Sequence, residues 1–168
     1  YAEERINVLS AARNETYGVD ASFRLVHDAV DGLDWEVVAY YRTNDFANVF
    51  ASARDDRTTE RPVLNQFDVP GSGGGILARV KFDGFEIGIE GRRASGETNE
   101  QFRNLGGGFT RQRVAGGDQW TVGVFADYLH DASWGELSLS TRLDRYRTYN
   151  GSRLETDLAD GSELRNDD

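Results

Sequence analysis

The sequence predicts an all-β protein, an antiparallel up-and-down meander from the wall of a transmembrane β-barrel, with about six long strands. Three observations predict it. Apolar side chains recur at every second position from Tyr17 onward. Tight turns alternate with long polar segments. Aromatic residues gather within a few positions of the tight turns.

Within RVKFDGFEIGIEG, residues 79 to 91, Asp83-Gly84 sits between two alternating runs, a strong hairpin signal. Folding there sets Phe82 against Phe85, Lys81 against Glu86 and Val80 against Ile87. In YGVDASFRL the odd positions Tyr17, Val19, Ala21, Phe23 and Leu25 are apolar or aromatic. After DAVDG, the stretch LDWEVVAYYR carries Leu33, Trp35, Val37, Ala39 and Tyr41 on one face. Pairing the two around residues 28 to 32 places Leu25 opposite Trp35, Phe23 opposite Val37 and Arg24 opposite Glu36. A third hairpin, QWTVGVFADYL-HDAS-WGELSLSTRLD, sets Ala126 against Leu137, Val124 against Leu139, Val122 against Thr141 and Trp120 against Leu143.

The expected strands are approximately 15–27, 33–51, 75–82, 85–94, 118–129 and 134–149, within one segment spanning 1–168. The expected long loops are 52–74, 95–117 and 150–168. In a meander, successive connections fall on opposite edges, so all the tight turns share one end and all the long loops the other. That is the arrangement of a membrane barrel. AEERINVLSAA, residues 2 to 12, is open between a short helix and a strand or loop lead-in.

Composition narrows the function. The 168 residues suit one domain, and they contain no cysteine, which excludes disulfides and thiol chemistry. A net charge of −10 argues against nucleic acid. Hydrophobic residues make up 38% and mean hydropathy is −0.61, so no helix is expected to cross a bilayer, whereas a barrel strand needs only alternate apolar residues. Eighteen arginines face a single lysine, Lys81; arginine's rigid fork suits paired charges on a wall, and codon bias toward arginine explains the same count.

The sequence holds no catalytic constellation and no metal-ligand spacing, so neither enzymatic activity nor a cofactor is expected. His27-Asp28 and His130-Asp131 have the composition of acid–base dyads, yet both fall in turns that aspartate favours for its local hydrogen bonds. The tail ETDLADGSE lacks calcium-loop spacing, and the glycine runs 71–75 and 106–108 lack the lysine of a phosphate loop, reading instead as flexible joints.

The stretches WEVVAYYRTNDFANVFASA, GGGILARVKFDGFEIGIEG and QWTVGVFADYLHDASWGELSLSTRLDRYR together resemble the barrel wall of TonB-dependent outer-membrane receptors. The likeness covers roughly residues 15 to 149 and is one of style and spacing. Family barrels have 22 strands, so it implies a mid-barrel fragment without the plug domain, the TonB-contacting segment or the terminal aromatic strand. It also implies a Gram-negative outer-membrane location and a parent that imports a scarce ligand such as a ferric siderophore, cobalamin or an oligosaccharide. Expected partners are outer-membrane lipid, that small-molecule ligand, the plug and TonB, with no nucleic acid.

Three sets of residues carry these expectations. Ligand contact from the long loops is assigned to Arg54, Arg57, Arg61, Phe67, Phe102, Arg103, Phe109, Arg111 and Arg113, where arginine forks and aromatic rings suit an anionic, ring-bearing ligand. A charge ladder facing the lumen is assigned to Arg24, Glu36, Lys81, Glu86, Arg142 and Asp144. A membrane girdle near the tight turns is assigned to Trp35, Phe82, Phe85, Tyr128 and Trp134, with Tyr17, Tyr41 and Trp120 nearer the opposite headgroups. Two other architectures fit the same alternation: a complete eight-stranded outer-membrane barrel with an adhesive or structural role, and a soluble lipocalin-like or β-sandwich binder.

Overall fold

Period-two alternation with Gly, Asp, Asn and Ser at the reversals produces a single antiparallel sheet. A computed structural model describes residues 1–6, 11–30, 32–53 and 58–168. Its strands are β1 (Ala2–Ile6), β2 (Arg13–His27), β3 (Asp34–Ala53), β4 (Glu60–Asp68), β5 (Gly71–Phe82), β6 (Phe85–Asn104), β7 (Phe109–Ala132), β8 (Gly135–Asp157) and β9 (Glu163–Asp167). They lie in the order β1-β2-β3-β4-β6-β7-β8-β9, and β5 also pairs with β3 and β6. All pairings are antiparallel between neighbours, so the chain is a meander.

Strands β4 and β5 share one place in the sheet. The break between them falls at Val69 and Pro70, and proline has no N–H to give the ladder. The Pro70 carbonyl still accepts from Glu97 N at 3.0 Å, and Asp45 Oδ1 accepts from Val69 N at 3.3 Å, so the interruption is bridged on both sides.

Among the described residues the sheet has nine strands rather than six. Of the surplus, β4 and β9 come from segments expected as long loops, and β1 from the lead-in before Tyr17. Residues 60–68 and 71–74 lie in β4 and β5, and 95–117 forms the outer halves of β6 and β7 around a turn at 105–108. Most of 150–168 completes β8 and makes β9. Extended ribbons of polar residues stand where loops were expected. The backbones there bond to neighbouring strands, so the ladder continues where apolar alternation ends. The stretch 2–12 opens with strand β1; residues 7–10 of it lie outside the described residues.

Registers follow the turns. Asp83 (φ 45°) and Gly84 (φ 80°) both take left-handed backbone, the two-residue type that matches strand twist, and the pairs Phe82–Phe85, Lys81–Glu86 and Val80–Ile87 form as expected. The other two hairpins slip. Leu25 pairs with Val37 and Phe23 with Ala39, a shift of two. The third hairpin closes through Ser133 and Trp134 rather than HDAS, which pairs Val124 with Leu143 and Ala126 with Thr141, a shift of four. Both shifts are even, so every side chain keeps its expected face.

Among the described residues the sheet has no second layer. Ala12 is the only buried hydrophobic residue, and no large side chain is fully buried. The stripe of Val19, Phe23, Leu25, Ile87, Ile89, Val124 and Leu139 is left bare.

Candidate functional site

The two faces of the sheet differ sharply, and each carries a candidate surface. On the apolar face the side chains form a belt with definite ends. On β2 it runs from Tyr17 to Leu25 and on β7 from Trp120 to Tyr128, nine residues each. On β8 it runs from Leu137 to Leu143, and Arg145 and Arg147 follow on the same face. Six strands carry the belt: β2, β3, β5, β6, β7 and β8. β1 meets β2 only between Arg13 and Tyr17, and β9 meets β8 only between Arg153 and Thr156, so neither crosses it.

The belt runs obliquely to the hydrogen-bonding rows. One row passes through Leu25, Val37, Ala78, Ile89, Val124 and Leu143. It enters at the turn end of the apolar run on β2 and leaves at the far end of the run on β8. Over five inter-strand steps, about 24 Å, the lower edge of the belt therefore descends from Leu25 to Leu137, six residues or about 20 Å. Strands must be tilted by about 40° from the perpendicular to level this belt, within the range of closed barrels.

The expected girdle residues occupy the turn edge. Phe82, Phe85 and Tyr128 share a row, with ring centroids 5.7 Å apart between Phe82 and Phe85 and 4.5 Å between Phe85 and Tyr128. Trp35 stacks on His27 at 5.7 Å. Trp134 is different, lying in the β7–β8 turn itself, 74% exposed. At the opposite edge Tyr41, Gly74, Arg93, Trp120 and Arg147 share one row.

The reverse face is ionic. Glu36 accepts from Arg24 on β2 and from Arg79 Nε on β5 at 2.6 Å. Arg79 Nη1 continues to Glu86 Oε1 on β6 at 2.9 Å, and Lys81 Nζ meets the other Glu86 oxygen at 2.9 Å. This ladder spans four strands, and Arg79, at its centre, is legible on the polar side of its hairpin but was not assigned to the ladder from sequence. Arg142 and Asp144 belong to a second cluster. Arg142 donates to Asp144 Oδ1 at 2.7 Å and reaches over β7 to Glu90 Oε2 at 3.0 Å, where Arg92 also donates. Glu90 is likewise legible on the polar side of RVKFDGFEIGIEG though not assigned to the ladder, and Arg92 was missed, its signal being the same even-position spacing as Glu86. The six expected residues thus share one face but form two clusters. Between them, in the row Glu36, Arg79, Gly88, Phe125 and Arg142, the Phe125 ring covers Gly88.

Beyond the belt, a third cluster joins the outer ribbons. Glu100, 2% exposed, pairs with Arg113 and accepts from Gln66 Nε2 at 3.3 Å. Arg113 also meets Glu155 at 3.5 Å and lies 5.1 Å above the Phe102 ring. The Arg153 guanidinium beside Glu155 holds its carboxyl below the usual carboxylate range. Arg153 and Glu155 reach this face because β8 carries one extra residue at Asn150-Gly151, with Asn150 at φ 52°.

The residues expected to meet ligand from loops are placed on strands. Arg61 and Phe67 lie in β4, Phe102 and Arg103 at the end of β6, and Phe109, Arg111 and Arg113 in β7. Only Phe102, Arg111 and Arg113 come together, through the Phe102–Arg111 pair and the Arg113–Phe102 contact. Arg54 and Arg57 lie outside the described residues. The glycines 71–75 are strand residues of β5, while 106–108 form a turn held by Asn104 Oδ1, which accepts from Gly106 N at 2.9 Å. His27 and His130 make ring contacts rather than bonds to Asp28 or Asp131. Asp157 and Asp160 accept from Ala159 N and Ser162 N, which closes the β8–β9 turn.

Compared with protein-family models, curated proteins and solved structures, the chain matches none of them.

Proposed function

We propose that this chain is a section of the wall of a transmembrane β-barrel in the outer membrane of a Gram-negative cell, of the TonB-dependent receptor kind, and that it has no catalytic role. The single observation carrying this reading is the oblique belt: nine residues deep, uncovered by any second layer among the described residues, and level only if the strands tilt as barrel strands do. A soluble sandwich needs its apolar face covered, and a lipocalin-like barrel, whose strands tilt equally, needs that face closed into an interior, whereas here it lies bare.

In this reading the ionic face lines the interior and faces the plug of the parent protein. The ribbons beyond the belt, reaching about 35 Å past Arg93 to Asn104, stand outside the cell. There the Phe102, Arg111 and Arg113 group offers an aromatic ring and guanidinium forks to an anionic small molecule, such as an iron chelate, whose uptake is driven through TonB. Six belt-bearing strands in an open sheet edged by β1 and β9 favour a section of a larger wall over a complete eight-stranded barrel.

Site-directed spin labelling in the protein's own membrane fraction tests this. Labels at Ile87, Ile89 and Val124 are expected to collide with oxygen, and labels at Glu86, Ser138 and Ser140 with a water-soluble nickel chelate. Accessibility without a two-residue alternation overturns the membrane reading.

A further inference from the structure

We infer that Arg93, Arg145 and Arg147, grouped around Trp120 at the outer edge of the belt, form a binding patch for the phosphate of membrane-lipid headgroups. The inference rests on the membrane reading above and adds a lipid class to it. Arg93 and Arg147 flank Trp120 in one row on β6 and β8, about 10 Å apart across the intervening strand. Arg145 pairs with Val122, one position closer to the belt on the same face. All three therefore project outward, where the apolar run stops.

Charge bookkeeping leaves two of them over. Arg93 meets Asp118 at 3.2 Å, and Asp118 also accepts from Asn150 at 2.9 Å. Two further carboxylates beyond this edge are engaged as well: Asp45 accepts from the Tyr17 hydroxyl at 2.7 Å and Glu97 from Asn99 at 2.9 Å. Arg145 and Arg147 are exposed, and among the described residues they have no ion pair or hydrogen bond. Most other described arginines are threaded into networks, and Arg61, Arg103 and Arg111, which are not, lie out on the ribbons away from the belt edge. Two unpaired guanidinium groups beside a tryptophan, at the depth where apolar surface gives way to polar, match a phosphate that can accept bidentate hydrogen bonds.

The edge at the tight turns lacks this feature. There the outward positions are Leu33, Phe82, Phe85, His130 and Leu137, with no arginine. The asymmetry assigns the phosphate-rich leaflet to the side of the extended ribbons.

Native mass spectrometry of the detergent-solubilised protein, titrated with phosphatidic acid or phosphatidylcholine, tests the proposal. The expected result is at least tenfold greater retention of phosphatidic acid, abolished in the R145Q/R147Q double variant and unchanged in an R103Q/R165Q variant of equal charge. Neither double variant touches the ionic ladders, and the wild-type preference is read without any variant. Equal retention of both lipids by wild type, or equal loss in both double variants, overturns the patch. So does displacement of the lipid by an equimolar amount of inorganic phosphate. Failure of the wild type to float with vesicles of either lipid instead overturns the membrane reading, so the two failures are distinguishable.

Discussion

The ring of Phe125 on β7 fills the space in which a side chain at Gly88 on β6 would stand, so a Cβ there would collide with the Phe125 ring. The two residues are direct partners in the sheet, and Arg142 lies above the same ring at 6.0 Å. Glycine at 88 is thus required by a neighbour rather than by its own backbone. Gly88→Val is expected to destabilise the protein by about 1–3 kcal/mol through overpacking. Urea unfolding in lipid vesicles checks it, and adding Phe125→Ala is expected to recover part of the loss. A single variant as stable as wild type refutes the packing.

The belt predicts a contrast between faces. Ile89→Arg, at mid-depth, is expected to cost about 2–4 kcal/mol in a bilayer, whereas Ser140→Arg on the ionic face is expected to cost well under about 1 kcal/mol. Unfolding free energies of the two variants in the same vesicles decide the matter, and equal costs contradict the assignment of faces.

Glu36 joins β2 to β5 through Arg24 and Arg79. Removing its charge leaves both guanidinium groups without that partner. Glu36→Gln is therefore expected to lower the urea midpoint more than Asp20→Asn, which releases only the exposed Arg42. The reverse order would show that the ladder holds nothing together.

Acid should loosen the outer ribbons. The hydrogen bond from Arg153 keeps Glu155 ionised below its ordinary value of 4.5. A depressed folded-state value means the stabilisation is complete above that ordinary value and is lost as pH falls through the folded one. Hydrogen exchange of the β7–β8 ribbon is expected to be flat from neutral pH down to about 5 and to accelerate below about 4.5, after correction for intrinsic rates. In Glu155→Gln that step should be smaller, and an unchanged step assigns it to other carboxylates.

How much of this was legible in the sequence varies along the chain. The Asp83-Gly84 hairpin was readable to the residue because a two-residue turn leaves its flanking strands a single register. The hairpin around DAVDG slipped by two, since a longer reversal leaves the pairing free to slide, and the third slipped by four because its turn is Ser133-Trp134, which carries no Asn-Gly or Asp-Gly signal, rather than HDAS. The ladder was half visible: Lys81–Glu86 lies within one hairpin, but Arg79–Glu36 appears only once β5 lies beside β3, 43 residues away. The Asn150-Gly151 pair, a turn signal on its face, became a bulge that re-aims Arg153 and Glu155.

By itself the sequence determined the class of structure and the face of nearly every belt and ladder residue, because side-chain alternation is a property of the extended backbone and survives any even slip. Only the tertiary structure decided which strands are neighbours, that the polar segments are ribbons rather than loops, and that the belt runs obliquely. Those depend on hydrogen-bond partners far away in the chain, which no local pattern encodes.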